Sequence, residues 1–465
     1  MTKAPTAVPS RRRHDRDILA LAVPAFGALL AEPLFVMTDS AIVGHLGTAQ
    51  LAGLGVASAL LMTGVSVFVF LAYATTAAVA RQVGAGDPQT AIRHGMDGIW
   101  LALLLGSAVV TAVMPTAPAL VGVFTASDTA APFATAYLRT AVLGVPAMLV
   151  VMAATGVLRG LQDTRTPLVV AVAGFSANAG LHAVLVYGAG LGIAGSAWGT
   201  VVAQWGMAAV CLGVVVRGAR RHGACLRPDA AGIRACARAG VPLLIRTLSL
   251  RAISVIATAV AARLGDVDLA AHQLLLSLWS LLAFALDAIA IAGQAITGRH
   301  LGAGDVQGAR EACRRMVRWG IASGVALGAL VTAARPLLAP LFTSDPAVRH
   351  VFVPVLLVIA LCQPVCGVVF VLDGVLMGAG DGRYLAWAML ATLAVFAPVA
   401  LLVRVWGGGL TGVWLSTALM MTVRMLTLWA RARSGHWTVT GAGPTSCTSD
   451  ASTPGSSRET LRSAR

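Results

Sequence analysis

Asp39 lies in the stretch PLFVMTDSAIVGHLG, residues 33–47, with apolar side chains on both sides. A carboxylate in the middle of a bilayer costs about 2.5–3.5 kcal/mol on insertion scales, and such groups mark ion or proton pathways. Asn178 and His182 are four apart, so they share one face of a helix, and Tyr137 and Thr200 interrupt other apolar runs. Together these groups could take up, hold and release a proton, and their oxygens also suit Na⁺. Imidazole is the side chain that changes charge nearest neutral pH. Beside Asp39, His182 would either pair with the carboxylate or carry the proton itself; a neutral packing histidine is the plainer alternative. Glu32, seven residues before Asp39, shares its helix face and could receive a cation or substrate. A second set is ionic. Buried charges in lipid pair with one another, which predicts a network of Arg246 with Asp287 and Asp373, with Arg251 nearer the midplane. These are candidates for cavity, substrate or gating roles. Pro24 and Pro33 each remove a backbone hydrogen bond and are candidate hinges.

These groups need long helices to position them. Of 465 residues, 57% are hydrophobic and only 11% charged, against about 25% charged in soluble domains. Apolar stretches near twenty residues recur along the chain, each long enough for a bilayer of ~30 Å. Twelve such spans are predicted, beginning near residue 17 and ending near 432. The alternating ten-residue segments of a membrane β-barrel are absent. The net charge of +15 does not point to nucleic acid, because the arginines collect in alternate loops. By the positive-inside rule both termini are then expected to be cytoplasmic, and an integral protein of the bacterial plasma (inner) membrane is expected. Cysteines at 211, 225, 236, 313, 362, 366 and 447 lack zinc-site spacing. Phosphate-loop, zinc and nucleophile motifs are missing, so neither an enzyme, a metal site nor a bound cofactor is expected.

The chain repeats itself. At an offset of 218, Pro24 falls on Pro242, RQVGAGDPQ from Arg81 on RHLGAGDVQ from Arg299, and VLRGLQDTR from Val157 on VLMGAGDGR from Val375. One residue is then lost, and Thr200 pairs with Thr417. An even number of spans per half makes the halves parallel repeats about an axis along the membrane normal, facing across a cleft. The expected organisation is a basic N-terminus (1–16), a six-helix bundle (17–216), a basic linker (217–237), a second six-helix bundle (238–432) and a disordered tail (433–465). Repeats share scaffold, so positions where the halves disagree are candidates for function. Asp39 falls on Ala257, Asn178 on Phe396 and His182 on Ala400. The fold does not need these polar groups.

From Ile18 to Ala432 the sequence resembles the multidrug and toxic compound extrusion family. The residues that carry the likeness are Pro24, Pro33, Asp39, Gly44, Leu46 and Gly47, with the duplicated R-x-x-G-A-G-D and V-L-x-G-x-x-D motifs. Within it the chain is most similar to the DinF-like branch, which has an arginine in span 7 and aspartates in spans 8 and 10. The resemblance implies an all-α, twelve-span, two-bundle transporter, monomeric among membrane lipids. It would export bulky lipophilic or cationic xenobiotics by antiport, without a cofactor beyond the coupling ion. Asp39, Tyr137, Asn178 and Thr200 match four residues of the family's N-lobe proton site, and His182 stands where the family has an aspartate. The absence of an acid in span 7 favours H⁺. The alternatives are a Na⁺-coupled drug antiporter or a lipid-linked oligosaccharide flippase of the wider superfamily.

Overall fold

The computed structural model describes residues 11–44, 47–124, 129–403 and 405–441, except for the side chains of 11–14, 32 and 34–44. In the first half run α1 (Arg11–Gly44), α2 (Thr48–Ser66), α3 (Phe70–Gly84), α4 (Pro88–Phe124), α5 (Ala131–Ala141), α6 (Val145–Gly160), α7 (Arg165–Ala183) and α8 (Gly192–Arg221). In the second run α9 (Ala230–Leu264), α10 (Asp266–Gly302), α11 (Val306–Phe342), α12 (Pro346–Gly378), α13 (Gly382–Leu402) and α14 (Gly409–Ser434). Short 3-10 turns at Val67–Val69 and Val142–Gly144 join α2 to α3 and α5 to α6, so each pair makes one span. Eleven segments among the described residues are long and apolar enough to cross a membrane. With α1 they form the expected two bundles of six. Pro24 and Pro33 both lie inside α1.

The duplicated motifs are helix-to-helix turns. In the first, α3 ends, Gly86 takes a left-handed φ of +81°, and Asp87 Oδ1 accepts a hydrogen bond from the Thr90 amide at 2.9 Å to open α4. Its repeat does the same with Gly304 at φ +76° and Asp305 Oδ1 accepting from the Gly308 amide at 2.7 Å. In the second motif Gly380 has φ +73°, while its partner in the first half is Gln162 at φ +64°. Gln162 is the one non-glycine at positive φ among the described residues, held there because the repeat fixes the turn.

All these turns lie at one end of the bundles, the basic end, and there the halves touch. A Cβ on Gly84 would strike the backbone of Arg299, and one on Gly302 the backbone of Arg81. The two contacts are equivalent under the 218-residue repeat, so a pseudo-twofold axis passes through the seam. Gln294 Nε2 donates to the Tyr73 carbonyl at 2.6 Å, and Arg299 Nη1 to Gln162 Oε1 at 2.5 Å, across the same seam.

Three boundaries differ from expectation. The N-terminus is helical from Arg11, and Asp15 pairs with Arg315 while accepting from Trp319 Nε1 at 2.8 Å, which ties the first helix to the second bundle. The linker is shorter than 217–237, since α8 runs on to Arg221 and α9 starts at Ala230. It is pinned to α4 by Trp100 Nε1 donating to the Leu226 carbonyl at 3.1 Å and by Arg93 with Asp229 at 2.8 Å. Within the expected tail, residues 435–441 pack against the bundles. Trp437 is buried, Arg81 donates to the Val439 carbonyl, and the Gly441 amide donates to the Leu301 carbonyl at 3.1 Å. Residues 435–441 thus strap the seam, because one indole supplies the apolar anchor that the Ser/Thr/Gly composition around it hides.

Candidate functional site

Away from the basic turns, toward the outer end of the first bundle, Asn178, His182 and Thr200 come together in a polar layer. Asn178 and His182 point from α7 into the interior and are fully buried. His182 Nε2 lies 3.2 Å from Thr200 Oγ1 on α8, and that hydroxyl also donates to the Ser196 carbonyl at 3.2 Å. α8 comes this close because Gly199 faces the imidazole: a Cβ there would overlap the ring. Just beyond His182 the helix passes into a π-helical turn, Val184–Gly188, an irregularity frequent at functional sites. Neither amide atom of Asn178 has a partner among the described residues, and a buried amide left so costs about 1–3 kcal/mol unless water, an ion or another side chain satisfies it. Tyr137, from α5, is buried on the same side. The side chains of Asp39 and Glu32 lie outside the described residues. The equivalent positions of the second bundle, Val355, Phe396 and Ala400, are fully buried apolar core.

A cavity of about 480 Å³ opens beside this layer, walled almost wholly by the first bundle. Tyr137, Thr200 and Gln204 meet it at the outer side, and Tyr73, Arg159 and Asp287 toward the basic end. Between them the wall is apolar and includes Met62, Met148, Met152 and Met207. Thioethers on unbranched chains adapt to differently shaped guests.

The ionic set forms elsewhere, and with a different membership. Asp373 accepts from Arg246 Nε at 3.2 Å and from Arg246 Nη2, and also from Arg424 Nη2 at 2.7 Å. All three residues are buried, and the Arg246 guanidinium sits 5.9 Å from the Tyr73 ring centroid. Asp287 makes neither a hydrogen bond nor an ion pair with Arg246 among the described residues, contrary to expectation, and lines the cavity floor with Arg159. Arg251 is exposed on α9 and lines neither the triad nor the cavity, because its helix turns that face outward. Two participants escaped sequence reasoning. Arg159 counted as a loop arginine, yet it belongs to the cavity floor. Arg424 has Met207 as its repeat partner, and that disagreement between halves was the signal that could have found it.

The repeat relates the two regions. Arg246, Asp373 and Arg424 correspond to Ala28, Thr155 and Met207, and all three of the latter line the cavity. One bundle fills this space with an ion triad; the other leaves it open to a guest. In the outer layer the halves differ at three positions, where Tyr137, Asn178 and His182 correspond to Val355, Phe396 and Ala400, while Thr200 keeps a threonine partner in Thr417; the second bundle has a separate pair there, with His272 Nε2 3.3 Å from Thr258 Oγ1. The halves share a scaffold and divide the chemistry.

The profile of the MatE family matches residues 24–184 and again 242–402, with both ends displaced by 218 positions. The chain belongs to the MatE family. As a MatE protein it is a membrane transporter of the multidrug and toxic compound efflux class, not an enzyme. It is similar to the chloroplastic protein DETOXIFICATION 44 of Arabidopsis thaliana, 31% identical over 94% of this chain and 86% of that one. It is also similar to DNA damage-inducible protein F of Escherichia coli K12, 28% identical over 91% of this chain and 94% of that one. A crystal structure of a Vibrio cholerae MATE transporter mutant superposes with a TM-score of 0.83 at 20% identity, covering 92% of this chain and 99% of that one. The last likeness supports the MatE fold alone.

Proposed function

We propose that this MatE protein is a proton-coupled antiporter of bulky lipophilic or cationic compounds, set in a bacterial plasma membrane as a monomer with both termini cytoplasmic. The observation that carries the proposal is the His182–Thr200 contact with buried Asn178, beside a methionine-walled cavity, in one half of a repeat whose other half has Phe396 and Ala400 where this one has Asn178 and His182. In it, Asp39, Tyr137, Asn178, His182 and Thr200 load and release the proton, and the cavity next to them holds the exported compound. Protonation and guest occupancy then oppose one another within one bundle, which is the coupling an antiporter needs. Pro24 and Pro33 let α1 move with the charge it carries. The seam at Gly84 and Gly302 is the contact that must part for the basic end to open.

An imidazole nitrogen among the donors favours H⁺ over Na⁺, a hard cation that takes oxygen ligands. The flippase alternative needs free cations in the cleft, and Asp373 already takes Arg246 and Arg424. The test is transport in proteoliposomes of purified protein under an imposed pH gradient or an imposed sodium gradient. Dye export driven by the pH gradient and indifferent to sodium is expected. Export driven by sodium alone overturns the assignment.

A further inference from the structure

A second cavity, about 560 Å³, lies at the basic end between α11, α12 and α14. Arg310, Arg314 and Arg318 line it from α11, spaced four apart and therefore on one helix face. Arg433, at the end of α14, faces them, its guanidinium 5.0 Å from the Trp429 ring centroid. All four arginines are exposed, and none has an acidic partner among the described residues. Their neighbour Arg315 is different, being committed to Asp15. Like charges four apart repel and weaken the helix that carries them, so this stripe invites an anion.

The cavity is not merely basic. Val317, Ile321 and Leu372 form its floor, and Trp429 and Trp437 flank it. One turn deeper along the same face of α11, Ile321 and Val325 are 41% and 52% exposed. A cationic rim therefore leads into an apolar track that runs toward the bilayer core, with indoles at the boundary. Inorganic phosphate would leave the track bare, and a zwitterionic lipid would leave the charge unbalanced.

The repeat separates this groove from the scaffold. Arg310, Arg314, Arg318 and Arg433 correspond to Ile92, Met96, Trp100 and Val216 in the first half. There the equivalent surface of α4 is covered by the linker, through the Trp100 hydrogen bond to Leu226 and the Arg93–Asp229 pair. After α14 the described residues 435–441 run to the seam instead, with Val439 accepting from Arg81 and Gly441 donating to Leu301. The side chains of residues 442–465 carry a net positive charge, since Asp450 and Glu459 are outnumbered by Arg458, Arg462 and Arg465.

We propose that this groove binds an anionic phospholipid, with the four arginines holding the headgroup phosphate and the acyl chains lying along Val317, Ile321 and Leu372. Basic pockets between helices at a cytoplasmic surface suit such headgroups. Gly435 and Trp437 belong both to the groove and to the strap over the seam, so the lipid would brace the strap.

The test uses the full chain in nanodiscs of mixed phosphatidylglycerol and phosphatidylcholine, released and weighed by native mass spectrometry. Retained phosphatidylglycerol in excess of phosphatidylcholine is expected. Each arginine removed should lower that retention about fivefold, so the R310Q/R314Q/R318Q triple variant loses it, and R314Q alone, the gentler change, weakens it. The R217Q/R220Q/R221Q variant, equally depleted of charge elsewhere at the basic end, should behave as wild type. In parallel, chain-brominated phosphatidylglycerol should quench tryptophan emission by a component that Trp429→Phe removes. Equal retention of the two lipids, equal loss in the control variant, or displacement of the lipid by millimolar inorganic phosphate would each overturn the proposal.

Discussion

His182 Nε2 on α7 and the hydroxyl of Thr200 on α8 stand 3.2 Å apart. Thr200→Val removes the hydroxyl while nearly keeping the shape. A neutral hydrogen bond is worth about 1 kcal/mol, or roughly fivefold. We expect proton-driven dye export to fall by about that factor with expression and folding retained. Initial rates in proteoliposomes at a fixed pH gradient measure it, and a wild-type rate would remove Thr200 from the coupling layer.

The triad of Arg246, Asp373 and Arg424 holds two cations on one acid. Asp373→Asn leaves both cations buried without a counter-charge, a loss of about 3–5 kcal/mol. Arg424→Met removes the surplus cation and leaves the Arg246–Asp373 pair intact, so it should be far milder. Apparent melting temperatures of the two variants in detergent give the order directly. Equal melting would mean that Asp373 is not the hub.

Gly84 and Gly302 abut the backbones of Arg299 and Arg81 across the seam. Neither backbone can yield a Cβ's width without parting the bundles. Gly84→Ala and Gly302→Ala should therefore loosen the basic end, to similar extents because the repeat makes them equivalent. Cross-linking of Gln162→Cys to Arg299→Cys by a short bifunctional thiol reagent, in a cysteine-free background, reports closure of this end, since the native side chains meet there tip to tip. Its yield should drop in both glycine variants, and an unchanged yield in either contradicts the seam.

Asp229 caps α9 by accepting from the Ala231 amide at 3.0 Å, and Arg93 adds its donor. Those hydrogen bonds hold its carboxyl below the usual carboxylate range, the backbone one first. A depressed folded value means the cap's contribution is whole above the unfolded value of about 3.9 and is lost as pH falls through the folded one. Hydrogen exchange in the first turn of α9, corrected for intrinsic rates, should stay flat from neutrality down to that window and then accelerate. Asp229→Asn keeps a capping oxygen and should abolish the acceleration; Asp229→Ala should expose the turn at every pH.

Much of this was legible in the sequence because membrane helices write their length and spacing openly. The 218-residue repeat fixed the pairing of spans, and Asn178 and His182 declared a shared face through their four-residue spacing. Contacts between distant helices were harder. Arg246 was expected to pair with both Asp287 and Asp373, but the third member is Arg424, since burial asks only for some counter-ion and does not name it. Arg251 shows the converse: being central along a span does not say which way a helix is turned. Arg159 reads as a loop residue because a helix end and a cavity floor can coincide. The strap at 435–441 was concealed by its composition and betrayed only by Trp437.

The central claim is that one polar layer couples protons to export, and substrate-induced proton release tests it most directly. Purified protein in weakly buffered detergent, carrying a pH-indicator dye, is mixed with a transported cation. The account predicts proton release that saturates with substrate in the wild type and is lost in Asp39→Asn, with Asp373→Glu unaffected. Undiminished release from Asp39→Asn, or none from the wild type, would contradict it.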